Sequence, residues 1–92
     1  MDILHEESET KGRFYIEDDT GTAAEITYSK AGSDKIIIDH TQVNDKNRGE
    51  GLGKKLVDHV VEFARKQQLT VLPLCPFARS VISKDPDLQD VL

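Results

Sequence analysis

The hydrophobic and polar positions of this chain change their period near residue 50. Before that point, short segments alternate between apolar and polar residues or carry β-branched runs, which is typical of strands. Turn-forming residues separate the segments. The strands predicted in this way cover residues 12–18, 22–29 and 35–43. Because the turns between them are short, we expect an antiparallel three-stranded meander.

Beyond residue 50 the apolar residues recur at helical spacing, and charged residues occupy the opposite face. This predicts a helix over about 51–68, followed by a short apolar strand over 69–74. A strand–helix–strand unit of this length favours parallel pairing with a right-handed crossover. A last short helix is predicted over 77–84, between two prolines. The predicted fold class is α+β: a meander, a helix, a parallel strand and a short C-terminal helix.

Length and composition narrow the class of protein. A length of 92 residues predicts one domain, 1–92. For its first segment, 1–10, a flexible conformation is the alternative to an ordered one. A net charge of −5 argues against general nucleic-acid binding, and no apolar stretch approaches the ~18–20 residues of a membrane span. The single cysteine excludes an internal disulfide, and no histidines have metal-ligand spacing, so no metal is expected. We therefore predict a cytoplasmic protein, either monomeric or a weak homodimer.

The segment NRGEGLGKK, residues 47–55, directly precedes the predicted helix and has glycine at every second position. The first amides of a helix lack partners and carry partial positive charge, so phosphates bind there. Glycine allows the backbone to come close to such a ligand. Lysine and arginine outnumber acidic residues here, giving +3 over residues 46–55. The segment therefore predicts a phosphate-binding loop, with a plain flexible connector as the alternative.

Two well-known phosphate motifs do not fit this loop. The Walker pattern would need glycine at Arg48 and serine or threonine at Lys55. The Rossmann pattern would need glycine at Lys54. The pattern that fits is [Gln/Arg]-x-x-Gly-x-[Gly/Ala], over residues 48–53 between a strand and a long helix.

This loop resembles the acyl-coenzyme A pyrophosphate loop of the GNAT N-acetyltransferases. With His40–Val43 before it and Leu74–Phe77 after the helix, the chain is similar to the short YjdJ-like branch of that superfamily. Proteins of that branch keep the cofactor half of the fold and lack the C-terminal substrate strands. The resemblance covers about residues 12–90.

The resemblance implies a co-substrate, acetyl-coenzyme A, and a place for each of its parts. Pantetheine is expected between two splayed strands, the pyrophosphate on the glycine loop, and the thioester near Cys75. The cofactor-binding residues implied in this way are Gln42, Val43, Asn47, Arg48, Gly49, Glu50, Gly51, Leu52, Gly53, Lys54, Lys55 and Phe77.

Cys75 and His40 are the candidate catalytic residues. Cys75 either accepts the acetyl group as a thiolate or lines the pocket, since a free thiol is mostly protonated at neutral pH. His40 ends the third predicted strand, and an imidazole is suited to proton transfer, so we expect it to be the partner of Cys75. A buried, inert cysteine and a hydrogen-bonded strand histidine are the structural alternatives.

Three functions remain open at this point. The first is transfer of an acetyl group from acetyl-coenzyme A to an unidentified amine. The second is a coenzyme A or acyl-coenzyme A binding module without catalysis, because the tyrosine acid of the longer enzymes has no counterpart after Cys75. The third is a scaffold domain in which the glycine loop only turns the chain.

Overall fold

The computed structural model describes residues 2–92. Met1, the first residue of the 1–10 segment, lies outside the described residues. The strands are β1 (Leu4–Glu7), β2 (Lys11–Asp18), β3 (Gly21–Lys30), β4 (Lys35–Val43) and β5 (Thr70–Pro73). The helices are α1 (Leu52–Gln67), between β4 and β5, and α2 (Pro76–Lys84) after β5. Short 3-10 turns cover Asp45–Asn47 and Pro86–Val91.

The five strands form one sheet in the order β1-β2-β3-β4-β5. The first four are antiparallel to their neighbours, and β5 runs parallel to β4. The predicted α+β fold is thus confirmed, including the parallel strand after α1. The edge strand β1 was not predicted from the sequence. All four of its residues are exposed, so it shows no buried, alternating pattern.

Both helices pack on one face of the sheet. The core between the layers is aliphatic and continuous, and it includes Ile26 and Ile38 of the sheet and Leu56 and Val60 of α1. Burying one such side chain contributes about 1.5–3 kcal/mol. The opposite face, called here the outer face, carries half-exposed and exposed side chains. Neither helix in this described part of the chain is long and apolar enough to cross a membrane.

A β-bulge interrupts the pairing of β3 with β4. Tyr28 lies opposite Ile38, and the residue that precedes it in β3, Thr27, lies opposite His40. Asp39 is therefore an extra residue in β4. Because side chains alternate between the two faces of a strand, one extra residue exchanges the faces of all that follow.

Tyr28 forms a packed link between β3 and the edge of the sheet. Its side chain is 1% exposed, and its hydroxyl lies 2.7 Å from His5 Nε2 and donates to Glu7 Oε2 at 3.1 Å. The ring occupies the space beside Gly12, where an added Cβ would lie 2.3 Å from Tyr28 Cζ. Glycine at position 12 is thus what allows the tyrosine to reach β1.

Candidate functional site

A cavity of about 660 Å³ opens at the start of α1, between the end of β4 and the start of α2. Most of its lining was predicted as cofactor-binding, from Val43 through the glycine loop to Lys54, together with Phe77. Thr41 and Val81 were not predicted. The lining residues are Thr41, Val43, Asn47, Arg48, Gly49, Gly51, Leu52, Gly53, Lys54, Phe77 and Val81.

The glycine loop beside this cavity carries a run of free backbone amides. Within residues 2–92, no acceptor pairs with the N–H groups from Gly49 through Lys54. The amides on either side are paired: Arg48 N donates to Asp45 O at 3.3 Å, and Lys55 N donates to Gly51 O at 3.1 Å. The first turn of α1 has no acidic residue. These donors, at the positive end of the helix dipole, suit an anionic ligand.

The three glycines of the loop meet different structural needs. Gly49 and Gly51 have φ of +87° and +75°, in the left-handed region that favours glycine, and Gly51 is the N-cap of α1. Gly53 is helical, but a Cβ there would lie 2.7 Å from Phe77 Cζ. Two glycines therefore shape the loop, and the third lets the start of α2 pack against the start of α1.

The positive charge of the loop is largely balanced by carboxylates. The sequence suggested +3 over residues 46–55, but three of its four cations form ion pairs with aspartates, all of which lie outside that segment. The Arg48–Asp45 and Lys54–Asp58 pairs are exposed and contribute little, so a phosphate can replace their carboxylates. The free amides are thus the main fixed attraction for an anion. The pairs are Lys46–Asp18, Arg48–Asp45 and Lys54–Asp58.

Asp18 holds the loop in place, a role that was not predicted. Its carboxylate accepts hydrogen bonds from the hydroxyl and amide of Thr20, at 2.7 and 2.8 Å, and from Asn47 Nδ2 at 3.1 Å. The Thr20 bonds, then that of Asn47, lower the pKa of Asp18 well below its usual range. An ionised carboxylate therefore ties the β2–β3 turn to the buried Asn47 at neutral pH.

Strands β4 and β5 separate beside the cavity. Their pairing ends at Ile38 and Pro73, and Ile38 O then accepts from the amides of Leu74 and Cys75, at 3.1 and 3.2 Å. Residues 39–43 of β4 have no partner on β5 among the described residues. This opening, called here the β4–β5 gap, corresponds to the splay that the sequence resemblance implies.

Cys75 lies at the inner side of the gap and is 6% exposed. Its Sγ lies 3.4 Å from Thr41 Oγ1, and it is the N-cap of α2. Burial alone raises the pKa of the thiol, but the Thr41 hydroxyl and the amides of Ala78 and Phe77 outweigh it, so the pKa is lowered. The structure therefore favours a thiolate at this position more than in a free cysteine.

The predicted pairing of Cys75 with His40 is wrong. The bulge at Asp39 places His40 opposite Thr27 on the outer face, whereas Thr41 turns inward toward Cys75. A regular strand would have kept His40 on the side of the core residue Ile38.

Three predicted cofactor residues also lie outside the cavity lining. Gln42 pairs with Glu25 on the outer face, for the same reason as His40. Glu50 and Lys55 are exposed and do not line the cavity. No cluster of histidine, cysteine or acidic side chains in residues 2–92 is arranged to hold a metal ion.

Comparisons with known proteins agree with this geometry. A family model described as GCN5-related N-acetyl-transferase matches residues 13–91. The solution structure of a GCN5-like candidate N-acetyltransferase from Staphylococcus aureus is 42% identical, with a TM-score of 0.74. The match covers 96% of this chain and 85% of that one. No curated protein matches the chain, and nothing in the comparisons concerns the YjdJ-like branch, which stays a prediction.

Two more distant structures share the fold. One is a ribosomal-protein-alanine N-acetyltransferase from Brucella melitensis, 16% identical with a TM-score of 0.69, covering 84% of this chain and 62% of that one. The other is a candidate streptothricin acetyltransferase from Bacillus anthracis in complex with acetyl-coenzyme A, also 16% identical, with a TM-score of 0.60. That match covers 72% of this chain and 39% of that one. The chain thus matches less than two thirds of either protein.

Proposed function

The chain belongs to the GCN5-related N-acetyltransferase family, and on that premise we propose that it moves an acetyl group from acetyl-coenzyme A to an amine. The pyrophosphate of the coenzyme is held by the loop from Arg48 to Gly53. The observation that carries this proposal is the run of free amides, Gly49 through Lys54, beside a cavity of about 660 Å³. Crystallisation of the Bacillus anthracis relative with acetyl-coenzyme A supports the choice of co-substrate.

In the proposed complex, pantetheine enters the β4–β5 gap and pairs with the free backbone edge of β4. Val43 and Phe77 form the apolar side of its path, and the thioester comes to lie near Cys75. Backbone amides on the unpaired edge of β4 stabilise the negative charge that develops on the thioester oxygen. Holding the thioester against the amine supplies much of the rate enhancement.

Two routes for the acetyl group follow from this arrangement. In the direct route, the amine nitrogen attacks the thioester carbon, the carbon–sulfur bond breaks, and coenzyme A leaves as a thiolate. In the covalent route, the Cys75 thiolate attacks the thioester carbon and coenzyme A leaves as a thiolate, after which the amine attacks the acetyl-cysteine and the Cys75 thiolate leaves. In both routes we assign to His40, on the outer face, the role of taking the proton from the incoming amine.

Binding of coenzyme A is the first test. At about 100 times its Kd, coenzyme A is expected to stabilise the protein by about 2.7 kcal/mol, which raises Tm by roughly 10 °C or more. Arg48→Ala should weaken the affinity several-fold with little effect on Tm of the free protein, since the Arg48–Asp45 pair is exposed. Lys66→Ala, an exposed change near the other end of α1, is the matched control. No Tm change with coenzyme A would instead favour the scaffold alternative.

The covalent route has a pH signature. Intact-mass measurement after incubation with acetyl-coenzyme A, without amine, is expected to show one acetyl group, absent in Cys75→Ala. Because the Cys75 pKa is lowered, the reactive thiolate persists down to a pH below the ordinary thiol range and is lost as pH falls through that pKa. Thr41→Val should raise the pKa and move the acetylation midpoint to higher pH. Transfer to amines by an enzyme that is never acetylated would establish the direct route.

A coenzyme A binding module is the second candidate. The observation that favours it is the absence of tyrosine after Cys75, where Phe77 lines the cavity instead. Calorimetric binding of coenzyme A with no transfer to any amine would support it. A cytoplasmic location and a monomeric or weakly dimeric state remain predictions from the sequence.

A further inference from the structure

A second cavity of about 670 Å³ crosses the outer face from β4 to β1. It is called here the outer groove. Most of its lining residues carry a hydroxyl, carboxylate or cationic side chain. The residues that line it are Glu6, Glu7, Ser8, Lys11, Gly12, Arg13, Thr27, Tyr28, Ser29 and Asp39.

Most charges of the outer groove are already paired. Arg13 bonds two carboxylates, those of Glu6 and Glu25, at 2.6 and 2.7 Å. Glu7 pairs with Lys30 at 3.3 Å.

Two opposite charges of the groove remain without an ionic partner within residues 2–92. Asp39 accepts a hydrogen bond from Ser29 Oγ at 2.6 Å and has no cation beside it. Lys11 forms no ion pair. The groove therefore offers a carboxylate at one side and an ammonium group at the other.

The carboxylate end of the outer groove lies at the proposed site of transfer. Asp39 is the bulge residue that follows Ile38, and Ile38 O binds the amides of Leu74 and Cys75 at the β4–β5 gap. The coenzyme cavity lies on the helix side of β4, and the outer groove lies on the other face, with Asp39 as its residue nearest along the chain to the gap. In the proposed complex, an amine held at Asp39 reaches the thioester through the gap.

We propose that the outer groove holds the acceptor, and that the acceptor is a small zwitterion carrying a primary amine and a carboxylate. Asp39 binds the reacting ammonium group, and Lys11 binds the carboxylate. Lys11 lies opposite Ser29 on β3, and the Ser29 hydroxyl bonds the Asp39 carboxylate, so a ligand that lies across β3 can reach both charged groups. An aliphatic diamino acid such as lysine, reacting through its side-chain amine, fits this arrangement. This inference rests on the proposed acetyltransferase function.

The reaction then needs no further component. The bound ammonium gives one proton to His40, and the neutral nitrogen forms a bond to the thioester carbon. The carbon–sulfur bond breaks, and the nitrogen's second proton leaves with the coenzyme A thiolate as a thiol. The products are the amide and coenzyme A.

The test compares L-lysine with cadaverine, which has the same terminal amine and chain but no carboxylate. With acetyl-coenzyme A saturating, kcat/KM is expected to be about tenfold higher for lysine, the size of one hydrogen bond to a charged group. Lys11→Gln should remove this preference by lowering only the lysine value. Lys35→Gln, an exposed strand lysine outside the groove, should leave the preference intact.

A second pair of variants tests the amine end. Asp39→Asn is expected to raise KM for both amines about tenfold, whereas Asp34→Asn, in the turn before β4, should not. Equal use of lysine and cadaverine, or a preference that survives Lys11→Gln, overturns the zwitterion assignment. Acetyl-coenzyme A binding is measured by calorimetry on the same samples. Binding with transfer to cadaverine but none to lysine overturns this inference alone, whereas binding without transfer to either amine, or no binding, counts against the proposed function as well.

Discussion

Gly51→Ala is expected to weaken coenzyme A binding by about 5- to 30-fold. Gly51 has φ of +75°, and an L-residue in this conformation costs about 1–2 kcal/mol. Nothing lies within 4 Å of an added Cβ, so backbone strain is the main cost. If the loop relaxes to avoid the strain, its amides turn away, and binding must restore them at the same cost in affinity. Calorimetry with coenzyme A measures the change in Kd.

The matched control for this prediction is Gly32→Ala. Gly32 has nearly the same φ, +77°, in the turn between β3 and β4, away from the loop. It should lower the free energy of unfolding by a comparable amount while leaving the Kd for coenzyme A unchanged. Equal losses of affinity in both variants would show that the loop is not the binding site and that global destabilisation explains the effect.

Gly12→Ala is expected to be the more damaging change for stability. The added Cβ would lie 2.3 Å from both Cζ and Oη of Tyr28, a buried ring that is fixed by hydrogen bonds to His5 and Glu7. Forcing extra volume into a packed core costs about 1–3 kcal/mol. For a domain of this size, that lowers Tm by roughly 5–20 °C in a thermal melt followed by circular dichroism.

A double-mutant cycle isolates the clash between the two side chains. Tyr28→Leu removes the outer ring atoms, so Gly12→Ala should cost much less in that background than in the wild type. The expected coupling free energy between the two positions equals most of the loss of unfolding free energy caused by Gly12→Ala alone. Strictly additive losses would mean that the alanine acts through strand propensity and that the contact with Tyr28 is unimportant.

The periodic parts of the chain were predictable because one face of each element is buried. The strands β2 to β5 and both helices appear where the patterns indicate, with α1 over Leu52–Gln67 against the predicted 51–68. The strand β1 was missed because backbone pairing with β2, not burial, holds it in the sheet. No single-residue pattern reports such a partner.

The side on which a residue lies was predictable only as far as the strand is regular. One inserted residue, Asp39, caused two errors. It explains why Thr41 was missed and why His40 was wrongly paired with Cys75. A period-two pattern cannot show this bulge, because the residues that follow it, His40 to Gln42, are polar on both faces of the strand. Residues of the predicted loop do line a cavity, and two of its glycines have positive φ, whereas binding of a coenzyme there stays a prediction.

The electrostatics of the loop were hidden for a different reason. Counting charges along a segment ignores partners that are distant in sequence, such as Asp18, 28 positions before Lys46 along the printed chain. The sequence could have indicated the Asp18 turn, because aspartate followed two residues later by threonine often forms a local side-chain bond. Its link to Asn47 depends on the tertiary fold.

Because of the bulge, the number of residues in β4, and not only their identity, decides which side chains lie at the site. Deleting Asp39 would restore the regular alternation of β4, and inserting another residue beside it would shift the alternation again. In either case every later side chain of β4 would change sides. The imidazole of His40 would then lie on the helix side of the sheet, where we propose that the coenzyme binds, and the hydroxyl of Thr41 would lie on the outer face. One insertion or deletion at this position would therefore exchange the side chains that β4 presents to the cavity and to the outer face, without a single amino-acid substitution.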